Sequence, residues 1–144
     1  MPINQVEFTE LEKHVSKKAK PTLQLLAPEL GKAYIITITR DNCPACKQQK
    51  PKLDKLAKDM EEKHGNNTVF TRIHIKQPHG DTSESQRAKT TLNHYFYPTN
   101  LILIKTKDRG TIEYYRNASP TMNELKRNIE NALKTATMLA KETN

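Results

Sequence analysis

Cysteine is scarce in this chain: two residues in 144, both inside one Cys-x-x-Cys at positions 43 to 46. That count excludes a multi-disulfide scaffold. It also excludes a four-cysteine zinc module or a cysteine-ligated iron–sulfur cluster built from this chain alone. Long apolar runs are missing too, and none approaches the roughly 20 residues of a membrane span. The start, Met1-Pro-Ile-Asn-Gln-Val-Glu-Phe8, has no basic region followed by an apolar stretch, so a secretory leader is not expected. The protein therefore reads as cytoplasmic and not membrane-bound. No internal repeat or low-complexity tract is visible. Hydrophobic residues make up only 35%, but they are gathered in a few blocks, enough for one core. The length fits one compact domain with a tail or arm rather than two domains.

Lys plus Arg number 24 and Asp plus Glu 16, for a net charge of +8. A nucleic-acid footprint is a patch or stripe of cations. Along this sequence the excess is dispersed, from residues 1–20 through 124–144, and no segment stands out. No RNP-like aromatic motif accompanies it. The charge reads as a soluble, mildly cationic surface, and no nucleic-acid partner is expected.

Residues 1–20 are polar with weak helical spacing of Val6, Leu11 and Val15. Leu23, Leu25, Leu26 and Leu30 form a second apolar patch, and residues 1–30 together read as an N-terminal arm or helical extension. Ala33 to Thr39 is nearly continuous and β-branched, the pattern of a buried central strand. From Pro44 to Lys63, Leu53, Leu56, Ala57 and Met60 fall on one helical face. Thr68 to Ile75 reads as a second strand, Gln77 to Ser85 as a loop, and Glu84 to His94 as a short helix. Asn100 to Lys105 is a third strand, turned at Asp108-Arg-Gly110 into a partner over Thr111 to Tyr115. Ser119 is expected to cap a final helix with Pro120 at its first position. Met122, Leu125, Ile129, Leu133, Ala136 and Ala140 line its inner face. The expected fold is α/β, over residues 31–144: a mixed sheet of about four to five strands with helices on both faces.

Cys43-Pro44-Ala45-Cys46 follows directly on the buried strand and opens a helix. A helix N-terminus offers free N–H groups and partial positive charge to the first sulfur. Both favour the thiolate, the form that attacks disulfides. The two-residue spacing lets Cys46 reach back to Cys43 and resolve a mixed disulfide. Pro44 fits the first turn, where no N–H is required. The bland alternatives are a small structural disulfide, which closes too short a ring to constrain the unfolded chain much, or two idle thiols.

With these residues in view, the chain resembles the thioredoxin superfamily over about residues 33–140. The strand, the Cys43-Pro-Ala-Cys46 motif, Lys47 and Pro51 look like the first half of a thioredoxin. Tyr97-Pro98-Thr99 looks like that family's cis-proline loop. The resemblance implies a thioredoxin-like fold and a thiol–disulfide oxidoreductase acting on protein disulfide or dithiol substrates, with a separate redox donor. It implies no cofactor or metal, and a monomer is expected. Cys43 would be the exposed nucleophile and Cys46 the less exposed resolving thiol. Pro44, Ala45, Tyr97 and Pro98 would form the substrate-binding surface, with Pro98 cis beside the Cys43 sulfur and the Tyr97 backbone pairing with an extended peptide. Each has a plainer reading: a trans Pro98, a core Tyr97, and a helix that merely starts at Pro51.

The sequence departs from the family at telling places. Thioredoxins carry a buried acid six residues before the first cysteine, where this chain has Thr37. A hydroxyl cannot serve there as a carboxylate base for the resolving thiol. Asn42 stands where thioredoxins have Trp, the central dipeptide is Pro-Ala, and the stretch from Lys76 to Pro98 is longer. Two other readings compete. One is a zinc site from Cys43, Cys46, His74 and His79, though the gap between pairs exceeds that of fingers. The other is a thioredoxin-fold adaptor or chaperone that keeps the motif as a remnant.

Overall fold

The computed structural model describes residues 3–18, 22–77 and 82–142. The chain begins with strand β1 (Ile3–Glu7) and helices α1 (Phe8–Lys18) and α2 (Thr22–Leu26). Then come β2 (Ala33–Arg40), α3 (Pro44–His64), β3 (Thr68–Ile75) and α4 (Ser83–Leu92). The hairpin β4 (Thr99–Lys105) and β5 (Thr111–Asn117) and helix α5 (Met122–Lys141) complete it. One five-stranded mixed sheet runs in the order β1-β3-β2-β4-β5, with β1, β3 and β2 parallel and the remaining pairs antiparallel. This is the α/β architecture expected from the sequence.

Strand alternation divides the interior. Ala33 and Ile35 of β2 pack with Leu53, Leu56, Ala57 and Met60 of α3 and with Leu125, Ile129 and Ala136 of α5. The intervening Tyr34, Ile36 and Ile38 pack with Phe8 and Leu11 of α1 and Ala88 and Leu92 of α4. β2 is buried along nearly all its length because helices cover both its faces.

Two expectations change. Residues 3–7 are not an arm: β1 pairs with β3 from Ile3 opposite Phe70 to Glu7 opposite His74. Phe8 is fully buried. Lys105 Nζ and Thr111 Oγ1 donate to the carbonyls of Pro28 and Ala27, fastening the segment after α2 to the hairpin. Ser119 does not cap the last helix. Thr121 does, its hydroxyl accepting the Glu124 N–H at 3.0 Å. Part of the expected loop over Gln77 to Ser85, and His79 with it, lies outside the described residues.

Candidate active site

The site forms where β2 ends. Arg40 Nη1 donates to the carbonyls of Asp41 and Asn42, at 2.8 and 2.6 Å, and so braces the turn into α3. Asn42 holds a left-handed backbone conformation, φ 55°. Asn tolerates that region better than a bulky side chain does, which gives a local reason for Asn in place of Trp. Asp41 accepts from His74 Nε2 at 2.8 Å and from the Gln77 N–H at 3.1 Å. The Gln77 N–H, with His74 beside it, holds the Asp41 carboxyl below the usual carboxylate range. His74, a candidate zinc ligand, is thus engaged with Asp41 and, at 3.5 Å, with Thr39.

Cys43 is the N-cap of α3, with Pro44 in the first turn. Its Sγ accepts the Cys46 N–H at 3.1 Å and is joined to Cys46 as a disulfide, with the two Cα atoms 5.2 Å apart. The helix start therefore presents an N–H donor and its dipole to the first sulfur. The helix runs unbroken through Pro51, so it does not start there.

The Tyr97–Pro98 peptide is cis, as the resemblance implied, and the Tyr97 carbonyl oxygen lies 3.6 Å from Cys43 Sγ. Pro98 is buried and, with the exposed Ala45, lines a cavity of about 510 Å³ between α3 and the start of α5. Pro44 is exposed. The Tyr97 ring turns inward. It stacks edge-on against His94 at 4.8 Å, and its hydroxyl meets Ser85 Oγ at 3.0 Å. The Tyr97 carbonyl faces Cys43, and the Arg40 guanidinium lies over the Tyr97 ring, 5.5 Å from its centroid.

The order of residue burial reverses the expectation for the two cysteines: Cys43 is 2% exposed and Cys46 9%. Cys43 is covered because the cis-proline loop lies over its sulfur. Both cysteines line a second cavity, of about 530 Å³, which gives access to the pair from the β1 side.

Beneath the motif helix the structure shows what replaces the missing acid. Thr37 Oγ1 donates to Asn100 Oδ1 at 2.8 Å, and Gln49 Nε2 donates to the same oxygen at 2.8 Å. Asn100 Nδ2 reaches the Asn117 carbonyl at 3.5 Å. Thr37, Asn100 and Asn117 are opposite one another across β2, β4 and β5. Gln49 lies one helical turn beyond Cys46. Thr37 and Asn100 are buried, Gln49 and Asn117 partly so, and no member of the network carries a charge.

Two features of the site escaped the sequence reading. Tyr95 and Phe96, next to the cis-proline, are 77% and 67% exposed; the run Tyr95-Phe-Tyr97 was the only signal. His94 is 1% exposed, and neither ring nitrogen has a hydrogen-bond partner among the described residues. Burial, helped by Lys89 and Arg116, lowers its pKa to about 4.

No family model matches the chain, and no curated protein matches it. Solved structures do. The long form of spinach chloroplast thioredoxin f superposes with a TM-score of 0.58 at 17% identity, over 90% of this chain and 85% of that one. Chlamydomonas reinhardtii thioredoxin f2 gives 0.58 at 14%, over 90% and 95%. A thioredoxin f2 solved in complex with ferredoxin:thioredoxin reductase gives 0.55 at 18%, over 90% and 94%. The chain has the thioredoxin fold, with a cysteine pair in a Cys-Pro-Ala-Cys motif at the start of α3.

Proposed function

We propose that this thioredoxin-fold chain is a thiol–disulfide oxidoreductase that exchanges disulfides with protein substrates. One observation carries the reading: Cys43 caps α3, its sulfur accepts the Cys46 N–H, and it is already paired with Cys46 beside the Tyr97 carbonyl. A structural disulfide needs neither the helix N-terminus nor the loop.

In the reducing direction the Cys43 thiolate attacks one sulfur of a substrate disulfide. A Cys43–substrate disulfide forms, and the other substrate sulfur leaves as a thiolate and takes up a proton. Cys46, having lost its proton, then attacks the Cys43 sulfur. The Cys43–Cys46 disulfide forms and the second substrate sulfur leaves. Two electrons pass from the protein's dithiol to the substrate. Run backwards, the same steps oxidise a dithiol.

Pro44, Ala45, Pro98 and the Tyr97 backbone form the surface against which the substrate chain lies. The partner that restores the dithiol is a reductase protein, the class seen bound to the similar thioredoxin f2. The setting is a reducing compartment such as the cytoplasm.

Insulin reduction driven by dithiothreitol tests the reading. The protein should accelerate precipitation well above buffer, and Cys43→Ser should return the rate to buffer. A wild-type rate equal to buffer would support the adaptor alternative.

A further inference from the structure

The cations that looked dispersed along the chain meet in space beside the disulfide. The cavity that gives access to both cysteines is also lined by Arg40 from β2, Lys47 and Lys50 from α3, and Arg72 from β3. A second cavity, of about 620 Å³, shares Gln5, Lys50 and Arg72 with it and extends to Lys58. The two make one groove along β1 that starts at the cysteines. Among the described residues five permanent cations line it, and the carboxylates along it are Asp41 and Asp54.

Arg72 is the built part of this groove. It is 9% exposed, and among the described residues its side chain makes one long hydrogen bond, Nη2 to Asp54 Oδ1 at 3.4 Å. Guanidinium carries five donors in a rigid fork suited to carboxylates, so most of this capacity is unused by the described residues. Asp54 is also the partner of Lys50 at 3.3 Å, so one carboxylate serves two cations. Asp41 is held by His74 and Gln77.

We propose that this groove binds an acidic segment of the substrate protein, with Arg72 as the anchor, and so selects disulfides flanked by Asp and Glu. The proposal rests on the exchange reading above and names its substrate class. An acidic polypeptide fits better than a nucleic acid because, among the described residues, no Phe, Tyr or Trp lines the groove, and single strands are held by stacking on such rings. Cationic walls also speed the approach of an anionic partner, an effect that salt suppresses.

The test uses fluorescein-labelled, cysteine-free ten-residue peptides, one rich in Glu and Asp and one rich in Lys, titrated with the oxidised full-length protein. The acidic peptide should bind at least about tenfold more tightly than the basic one in 50 mM salt, and lose most of that affinity in 500 mM. Arg72→Gln and the exposed pair Lys50→Gln/Lys58→Gln should each reduce acidic-peptide binding by about tenfold. The exposed pair keeps the test valid if the Arg72 variant misfolds. Equal binding of the two peptides, or variants that bind as the wild type does, would overturn the proposal. So would a single-stranded oligonucleotide of matched charge binding as tightly as the acidic peptide. These peptides carry no sulfur, so a failure of insulin reduction would strike the exchange reading and leave this result readable. Loss of acidic preference with insulin reduction intact would strike the groove alone.

Discussion

The Cys46 backbone N–H donates to Cys43 Sγ across 3.1 Å, within the first turn of α3. This bond makes the two cysteines chemically unequal. One sulfur has a donor and the helix dipole beside it, while the other belongs to the helix itself. In the reduced protein Cys43 should therefore hold more thiolate at neutral pH. Iodoacetamide at pH 7, with peptide mapping, should label Cys43 about tenfold faster than Cys46. Equal rates would contradict this asymmetry.

The uncharged network under the motif predicts opposite behaviour for two substitutions at Thr37. Thr37→Val removes one donor to Asn100, whose Oδ1 keeps the Gln49 amide. The cost should be about 1 kcal/mol, the same at all pH values. Thr37→Asp places a carboxyl where only 2% of the residue is exposed. Burial raises such a group's pKa above its unfolded value, so the stability difference widens as pH rises from the unfolded carboxyl pKa of about 4 towards the raised folded one. By pH 8 the loss should approach about 3 kcal/mol or more. Urea denaturation at pH 5 and pH 8 measures both. A Thr37→Asp protein equally stable at the two would show that the site already accommodates an acid.

His94 predicts a second pH effect. Its folded pKa of about 4 lies below the ordinary 6.5. Above pH 6.5 the ring is neutral in both states and the stability is complete. As pH falls from 6.5 towards 4 the unfolded chain takes up a proton that the folded one refuses, and stability is lost. At about 1.4 kcal/mol per pKa unit the loss reaches roughly 3 kcal/mol at pH 4. In His94→Leu this part of the acid sensitivity should vanish. The difference between the two denaturation series isolates it from the titrating carboxylates. Parallel series would refute it.

Tyr95 and Phe96 stand in solvent beside the cis-proline loop. Replacing both with Ser should change stability by less than about 0.5 kcal/mol, since little is packed on them. As an apolar extension of the substrate surface they should carry binding: in the double variant kcat/KM for insulin should fall severalfold, with the rise in KM carrying most of it. An unchanged kcat/KM would remove them from the substrate surface.

Much of this was legible in the sequence, and what was not has definite causes. The β-branched run at Ala33–Thr39 identified β2 because the strand is buried along nearly all its length, and the spacing Leu53, Leu56, Ala57, Met60 identified α3 because the helix buries one apolar face. β1 was missed because it is an edge strand with one buried residue, Ile3, and its partner lies more than sixty residues away in β3. The cap of α5 was misplaced because Ser119, Pro120 and Thr121 all suit a helix start, and only the Thr121–Glu124 bond decides among them. The cysteine pair and the cis-proline were found by motif and resemblance. The reversed burial of Cys43 and Cys46 depends on how the cis-proline loop folds over one sulfur, which spacing does not encode. The cationic groove was invisible for the same reason. Arg40 and Arg72 are brought together by the pairing of β2 with β3, and Lys50 by the packing of α3 across it.

The most direct test of the central claim is covalent trapping through a Cys46→Ser variant. Without the resolving thiol, attack by Cys43 should stop at the mixed disulfide. Incubation with oxidised insulin or another disulfide protein, followed by intact mass spectrometry, should show an adduct on Cys43 that dithiothreitol removes, and none in Cys43→Ser. An absence of adducts in the Cys46→Ser protein with every disulfide substrate tried would contradict the account.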